Sequence, residues 1–571
     1  MERQKDDPHH CATLLIDGDG LSIEDVIDVA RRNRKVQLSA PAKDKMANSR
    51  AWVDQILDEG KLTVYGLTTG YGSLAELSIP PKDVEALTCN VIMSHSAGVG
   101  PPLAEEVVRA TMLIRANTLA KGYSGIRAVV LERLLAMLNQ GLHPVMPEKG
   151  SLGASGDLAP LAHLALALSE GTEGGQAFYE GQLLDAGEAM RRAGIEQIVL
   201  KAKEGLALIN GSTVSAALAA VACHDAETLL KNAEICLAMS LEAMKGVSDA
   251  FHESVHVARG HEGQKRSAAN VRSLIRGSEL VDSTDRVQDA YSVRCGPQVI
   301  GAVRDVLAFV RHTVSIEINA ATDNPLIVLD LPESRENKAI SCGNFHGEPL
   351  ALAMDLLGMA VAEIGSISER RTFRLLDKTL SAGLPAMLVQ DSGLNSGLMM
   401  AQYTAAALVS ENKTLAHPDS VDSIPTSANQ EDHVSMSMNA ALHAREIVKN
   451  VEQVVGIEML CAAQALDFRY RGLEFSSSKW LTKEESRGHK KLVEYDLDQG
   501  TAVAKARAGK GTEAAYRAIR GQIDHLSKDR PLYPDLQRIA AMVRSGEIIE
   551  AAETALGASL LGSADITVKA I

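Results

Sequence analysis

Apolar residues recur at helical spacing over most of the chain, and breaks in that spacing set the elements. Leu21-Ser22-Ile23-Glu24-Asp25-Val26 reads as a capped helix start, with Ser22 as the cap and Asp25 as the returning carboxylate. The pattern continues from about Lys43 to Asp58 and again from Asp83 to about Met137, broken at Gly98–Pro102 and near Gly122–Gly125. Between them, Val64-Tyr65-Gly66-Leu67-Thr68-Thr69-Gly70-Tyr71-Gly72 is too rich in glycine to be an element interior, so it predicts a loop. Gly171–Leu184 is glycine-rich and strand-prone. Long amphipathic stretches follow over Ser212–Met244, Gln298–Asn319, Pro349–Thr379 and Ser427–Leu466. Helices of that length exceed the usual mean of about 12 residues and predict a long bundle. From Arg469 the charges become dense and the helical segments short, closing with a polar helix near Glu547–Ala555. The predicted class is mainly α. The expected divisions are a disordered tail over 1–15, an N-terminal domain over 16–211, a central long-helix bundle over 212–468 and a C-terminal helical region over 469–571.

Composition narrows this further. Of 571 residues 46% are hydrophobic but only 3% are aromatic, which suits packed helices better than a β-sandwich. A net charge of −15 argues against a nucleic-acid partner, whose phosphates need a basic face. The seven cysteines are scattered and form no CxxC, which predicts reduced thiols and a cytoplasmic setting. Met1–His10 is polar, predicting no signal peptide, and no run of about 18 apolar residues predicts a membrane span.

The most unusual stretch is Gly150-Ser151-Leu152-Gly153-Ala154-Ser155-Gly156-Asp157-Leu158-Ala159-Pro160, which leads into the apolar Leu161–Leu168. Its plain reading is a turn feeding a helix, capped by Ser155 or Asp157. Its chemical reading is sharper. The Gly156 nitrogen has no side chain beside it, and Ala154 adds little bulk around its carbonyl. A tight turn that pressed one onto the other would close a five-membered ring. Loss of water from the ring and from Ser155 would leave an electrophilic methylene with no added cofactor. The segment, through Asp157, Pro160 and Leu161, resembles the signature of the ammonia-lyase and aminomutase family that carries 4-methylideneimidazol-5-one (MIO). The resemblance spans about residues 20–468, with a looser match at Asp529-Arg530-Pro531.

The resemblance assigns further residues. Eliminating ammonia from an α-amino acid needs an electrophile for the amine, a base for the β-proton and a cation for the carboxylate. Tyr65 matches the family's base; a phenol titrates near 10 and needs a positive field to act so. Arg294, in Val287-Gln288-Asp289-Ala290-Tyr291-Ser292-Val293-Arg294-Cys295, matches the carboxylate clamp. Gln288 and Tyr291 match its polar companions. Asn210, in Leu208-Ile209-Asn210-Gly211-Ser212, and Phe345, in Gly343-Asn344-Phe345-His346-Gly347, match residues beside the prosthetic group. Ala154, Ser155, Gly156, Tyr65 and Tyr291 are thus the expected catalytic set. His95, Asn210, Gln288, Arg294, Phe345 and Glu431 are the expected substrate-binding set. Family likeness also implies a homotetramer whose active sites each draw on three chains.

Other motifs mislead. His252-Glu253-Ser254-Val255-His256 fits HExxH, but Glu262 stands where a third metzincin ligand would be and Arg259 would repel a dication, so no metal is expected. Gly153–Asp157 nearly spells a nucleophile elbow, yet ends in Asp157. Gly509-Lys510-Gly511-Thr512 lacks the earlier P-loop glycine, Ala504 standing there.

Two positions speak to the substrate. His95 lies where phenylalanine lyases carry an apolar pair, and resembles histidine lyases, tyrosine lyases and some tyrosine aminomutases; Glu431 lies where phenylalanine and tyrosine lyases usually carry an amide and histidine lyases carry glutamate. A carboxylate and a histidine can hold both nitrogens of an imidazole. A bare phenyl ring would leave the carboxylate buried and unpaired. The expectation is conversion of L-histidine to trans-urocanate and ammonia. Tyr403 departs from the histidine-lyase pattern and keeps open a tyrosine ammonia-lyase or 2,3-aminomutase, or else is core packing in an Ala-rich helix. A non-catalytic helical scaffold is the remaining alternative.

Overall fold

The structure, a computed structural model, describes residues 12–475 and 501–562. Most of the expected tail, and a large part of the early C-terminal region, therefore lie outside the described residues. Where the tail is described it is ordered sooner than expected: Leu14–Ile16 is a strand, paired in parallel with Val36–Leu38. Between those strands Ile23–Arg32 forms the predicted helix. Ser22 Oγ accepts from Asp25 N at 3.0 Å and Ser22 N donates to Asp25 Oδ2 at 3.1 Å, so the capping box is complete.

The fold is mainly α, with short two- and three-stranded sheets. The glycine-rich patch forms a hairpin, Gln176–Tyr179 with Gln182–Asp185. The chain divides into two compact units. The first comprises residues 1–224, 310–356 and 418–445, and the second comprises 225–309, 357–417 and 446–571.

The long stretches are helices over Thr213–Ala243, Gly296–Glu317, Glu348–Leu376 and Ser437–Arg471. The last starts ten residues later than the sequence pattern predicts. Ser427, Ala428, Asn429 and Met436 adopt positive φ of 49°, 51°, 67° and 54°, a left-handed backbone that no α-helix continues through. Glu431 thus sits in a loop, not in a first helical turn. Glu348–Leu376 is long and apolar enough, by length and composition, to cross a membrane. It is no unbroken apolar run, since Asp355 and Glu363 interrupt it, and 61% of its most apolar stretch is buried inside the protein.

Each unit buries charge. In the first, Lys203 Nζ donates to Asp323 Oδ2 at 2.6 Å with both side chains fully inside. In the second, Arg371 forks onto Glu458, with Nε to Oε1 at 2.5 Å and Nη2 to Oε2 at 2.7 Å. Ser240 and Ser368 also donate to that carboxylate. Such pairs persist only when both partners are present and hydrogen-bonded. Among the described residues, Cys89, Cys236, Cys295, Cys342 and Cys461 form no disulfide.

Candidate functional site

The Ala154-Ser155-Gly156 turn enters the helix Leu158–Leu168 from a loop in which Gly150, Gly153 and Gly156 all have positive φ. At Gly156 (φ 76°) an added Cβ would lie 2.0 Å from the Gly211 carbonyl carbon, so no other residue fits. Gly156 and Gly211 pair as a parallel bridge, and Asp157 N donates to Gly211 O at 2.9 Å. Two donors converge on Ser155 O: Asn210 Nδ2 at 2.9 Å and Gly211 N at 3.1 Å. Gly153 O in turn accepts from Gly347 N at 3.1 Å and Ser435 Oγ at 3.0 Å.

Asp157 occupies the N-cap position, but its side chain does not cap the helix. Its buried carboxylate accepts from Ser151 Oγ at 2.7 Å, Ser215 N at 2.8 Å and Ser215 Oγ at 2.9 Å. Burial pushes its pKa up, and these donors oppose the shift. The carboxylate therefore fastens the turn to the start of the Thr213–Ala243 helix.

Glu431 reaches the same turn. Ser155 Oγ donates to Glu431 Oε1 at 2.5 Å, and Thr426 Oγ1 donates to Oε2 at 2.7 Å. His95 ends the helix Val84–His95 and is half-buried, which lowers its pKa against the raising pull of Val91 O and the Glu431 charge. Burial thus favours its neutral form. Tyr65 sits in the predicted loop, and its hydroxyl accepts from Gly72 N at 3.1 Å. Burial raises its pKa, the Gly72 donor lowers it, and Glu431 and Asp323 raise it again. Phe345 is half-buried two residues before Gly347. Tyr65, His95, Ala154, Ser155, Gly156, Asn210, Phe345 and Glu431 all belong to the first unit.

Gln288, Tyr291 and Arg294 belong to the second unit. Tyr291 is 71% exposed, and the Arg294 guanidinium lies 4.5 Å from its ring centroid. Arg294 Nε is buried without a hydrogen-bond partner among the described residues. Tyr403 is 59% exposed, so the core-packing reading of that residue is wrong: it lies on the outer side of the Met399–Leu415 helix.

The HExxH string is structural. His252 caps the short helix Glu253–Arg259, and the two ring nitrogens of His256 face Ala250 O at 3.1 Å and Gln264 Nε2 at 2.8 Å. Among the described residues, His346, Glu348 and His433 bring possible metal-ligand atoms within 4.8 Å of one another. Their two imidazole rings lie only 6° from parallel with centroids 5.7 Å apart. An ion binds in the plane of each ring, and stacked rings direct their lone pairs along separate planes. Gly509 is the cap of the helix Lys510–Arg520, packed against Leu274 and Ile275.

Two residues of the site escape sequence reasoning. Arg115, fully buried in the helix Glu105–Ala120, donates through Nη1 to Asn210 O at 2.7 Å and Thr213 Oγ1 at 3.0 Å. Burial brings its pKa down to about 10, against the pull of Asp323 and Asp157. Sequence alone does not separate it from Arg109, a second arginine buried in the same helix. Thr426, the second anchor of Glu431, carries no sequence signal either.

The family model described as "Aromatic amino acid lyase" matches residues 21–494. The histidine ammonia-lyase of Caldanaerobacter subterraneus subsp. tengcongensis is 50% identical over 539 residues, 94% of this chain and 97% of the relative. That of Alkaliphilus oremlandii is 48% identical over 95% of this chain and 99% of its own length. Among solved structures, a tyrosine aminomutase from Streptomyces globisporus superposes with a TM-score of 0.84 at 35% identity, covering 96% of this chain and 100% of that one. Histidine ammonia-lyase from Trypanosoma cruzi gives 0.81 at 37% identity, with 95% of each chain covered. A constrained Ala-Ser-Gly turn and matches of this length agree: the chain belongs to the aromatic amino acid lyase family.

Proposed function

We propose that the protein removes ammonia from L-histidine without oxidation, releasing trans-urocanate, through an MIO group condensed from Ala154, Ser155 and Gly156. The observation that carries the substrate is Glu431: a carboxylate, rather than an amide, touches Ser155 Oγ at 2.5 Å. Histidine ammonia-lyases at 50% and 48% identity support the same reading. The residues present fit the group. Gly156 leaves no room for a side chain beside its nitrogen, Ala154 is buried, and the Ser155 carbonyl is gripped by two donors.

Once formed, MIO supplies an electrophile for the substrate amine. The chain's own residues do the rest. Asn210 Nδ2 and Gly211 N stabilise negative charge on Ser155 O. Glu431 and the neutral His95 hold the two nitrogens of the substrate imidazole. Arg294 pairs with the carboxylate, with Gln288 and Tyr291 beside it, and Phe345 packs against the reacting centre. Tyr65 receives the β-proton. The proposed assembly is a homotetramer with sites shared between chains. Thiols that form no disulfide among the described residues favour a reducing compartment, the cytoplasm.

A second reading is a tyrosine ammonia-lyase or 2,3-aminomutase, favoured by the fit to the tyrosine aminomutase structure and by the accessible Tyr403 phenol. Purified protein assayed with histidine, tyrosine and phenylalanine, following absorbance of the conjugated product, separates the two. Turnover of tyrosine but not histidine would defeat the substrate assignment.

A further inference from the structure

We infer that Glu431 acts first on its own chain, assisting the loss of the Ser155 hydroxyl while the Ala154-Ser155-Gly156 turn condenses, before any substrate binds. This rests on the reading above that the turn condenses. Ser155 Oγ donates to Glu431 Oε1 at 2.5 Å, while Thr426 Oγ1 holds Oε2 at 2.7 Å. An antiparallel bridge between Thr426 and Glu431 fixes the backbone below, with Thr426 N to Glu431 O at 3.0 Å. The carboxylate is thus held at one oxygen by its own loop and turned with the other onto the serine.

Other polar groups around the turn are committed elsewhere. Asn210 Nδ2 and Gly211 N are on Ser155 O, and the Asp157 carboxylate is taken by Ser151 and Ser215. Among the described residues, Glu431 is the acid recorded in a hydrogen bond with the oxygen that has to leave.

Condensation sheds two waters. In the first, Gly156 N bonds to the Ala154 carbonyl carbon, a C=N bond forms to Ser155 N, and the two amide hydrogens leave with Ala154 O. In the second, the Ser155 Cα–H bond breaks and its electron pair becomes the Cα=Cβ bond. The Cβ–Oγ bond breaks with its pair on oxygen, which must take a proton, since hydroxide leaves poorly. Glu431 receives the proton shed at Cα and returns it to Oγ. It ends as the carboxylate that began, one water departs, and no oxidant is needed. The same carboxylate is then free to face substrate.

The test is a time course of intact mass during cell-free synthesis of the full chain, for wild type, Glu431→Ala and Glu431→Gln, with circular dichroism to confirm folding. Wild type ends two waters light. Glu431→Ala accumulates a species one water light and loses the second about 10²-fold more slowly, the size of a removed proton carrier. Glu431→Gln keeps an acceptor but carries no acidic proton, and falls between them. Folded Glu431→Ala that sheds both waters at the wild-type rate overturns the inference. Should that variant fail to fold, Glu431→Gln decides in its place, and a wild-type rate there overturns it. Wild type at full, unshortened mass instead defeats the condensation reading itself.

Discussion

Asn210→Ala removes one of the two donors on Ser155 O, the bond of 2.9 Å, and leaves Gly211 N at 3.1 Å in place. Asn210 is 4% exposed, so bulk water does not replace the lost donor. Among the described residues its Oδ1 has no hydrogen-bond partner, so the change orphans no other group. Arg115 bonds the main-chain oxygen of Asn210, a contact that survives truncation. The perturbation therefore isolates one donor aimed where negative charge gathers. Deleting a comparable oxyanion donor costs about 3–4 kcal/mol, or about 10²–10³ in kcat. The assay is steady-state turnover of histidine, with intact mass taken first to confirm that both waters have been lost. We expect kcat to fall by that factor with KM changed far less, because the bond strengthens as charge develops. A fully condensed variant whose kcat stays within about threefold of wild type would show that Asn210 does not stabilise that charge.

Three further outcomes follow from other parts of the chain. Glu431→Gln, compared on protein that has lost both waters, should lower kcat/KM for histidine far more than for tyrosine; equal losses would remove the selecting role of Glu431. Burial pushes the Glu242 carboxyl from 4.5 up to about 7, with Gly509 N donating to it at 2.6 Å. A carboxyl raised in the folded state keeps its proton there longer than in the unfolded chain, so stability is full below pH 4.5 and is lost as pH rises through about 7. Glu242→Gln should therefore raise unfolding free energy by about 3 kcal/mol more at pH 8 than at pH 4. An equal increment in denaturant melts at both pH values would refute this. Glu458→Ala strands the fully buried Arg371, and should destabilise the fold by about 3–5 kcal/mol in the same melts.

Much of the fold was legible because its signals are local. Ser22 and Asp25 announce a helix start whose bonds close within four residues, and the long apolar stripes need no distant partner to be read. The delayed start of the Ser437–Arg471 helix was not legible, because the left-handed turn at Ser427–Asn429 contains no glycine. Its cause is tertiary: the loop is bridged from Thr426 to Glu431, and Glu431 is bonded to a serine 276 positions away. The tightness of the turn was legible at Gly156, where an added Cβ would meet the Gly211 carbonyl carbon at 2.0 Å. The support beneath it was not, since Arg115, Ser215 and Thr426 act through contacts that cross the sequence.

Tyr65 shows what the proposed base still needs. A phenol serves as base only if something favours its anion. Around Tyr65 burial, Glu431 and Asp323 all disfavour it, and the single opposing influence is the Gly72 donor. The missing positive charge has to arrive with other groups. A substrate ammonium brings one such charge, and Arg294, a guanidinium whose buried Nε is unpartnered among the described residues, offers another. Tyr291, exposed beside that guanidinium, is the kind of surface residue that a partner chain would cover. Under the proposed mechanism the base is therefore activated only once such a charge is in place. Until then burial favours the protonated phenol, and under the proposed mechanism the base waits for its substrate.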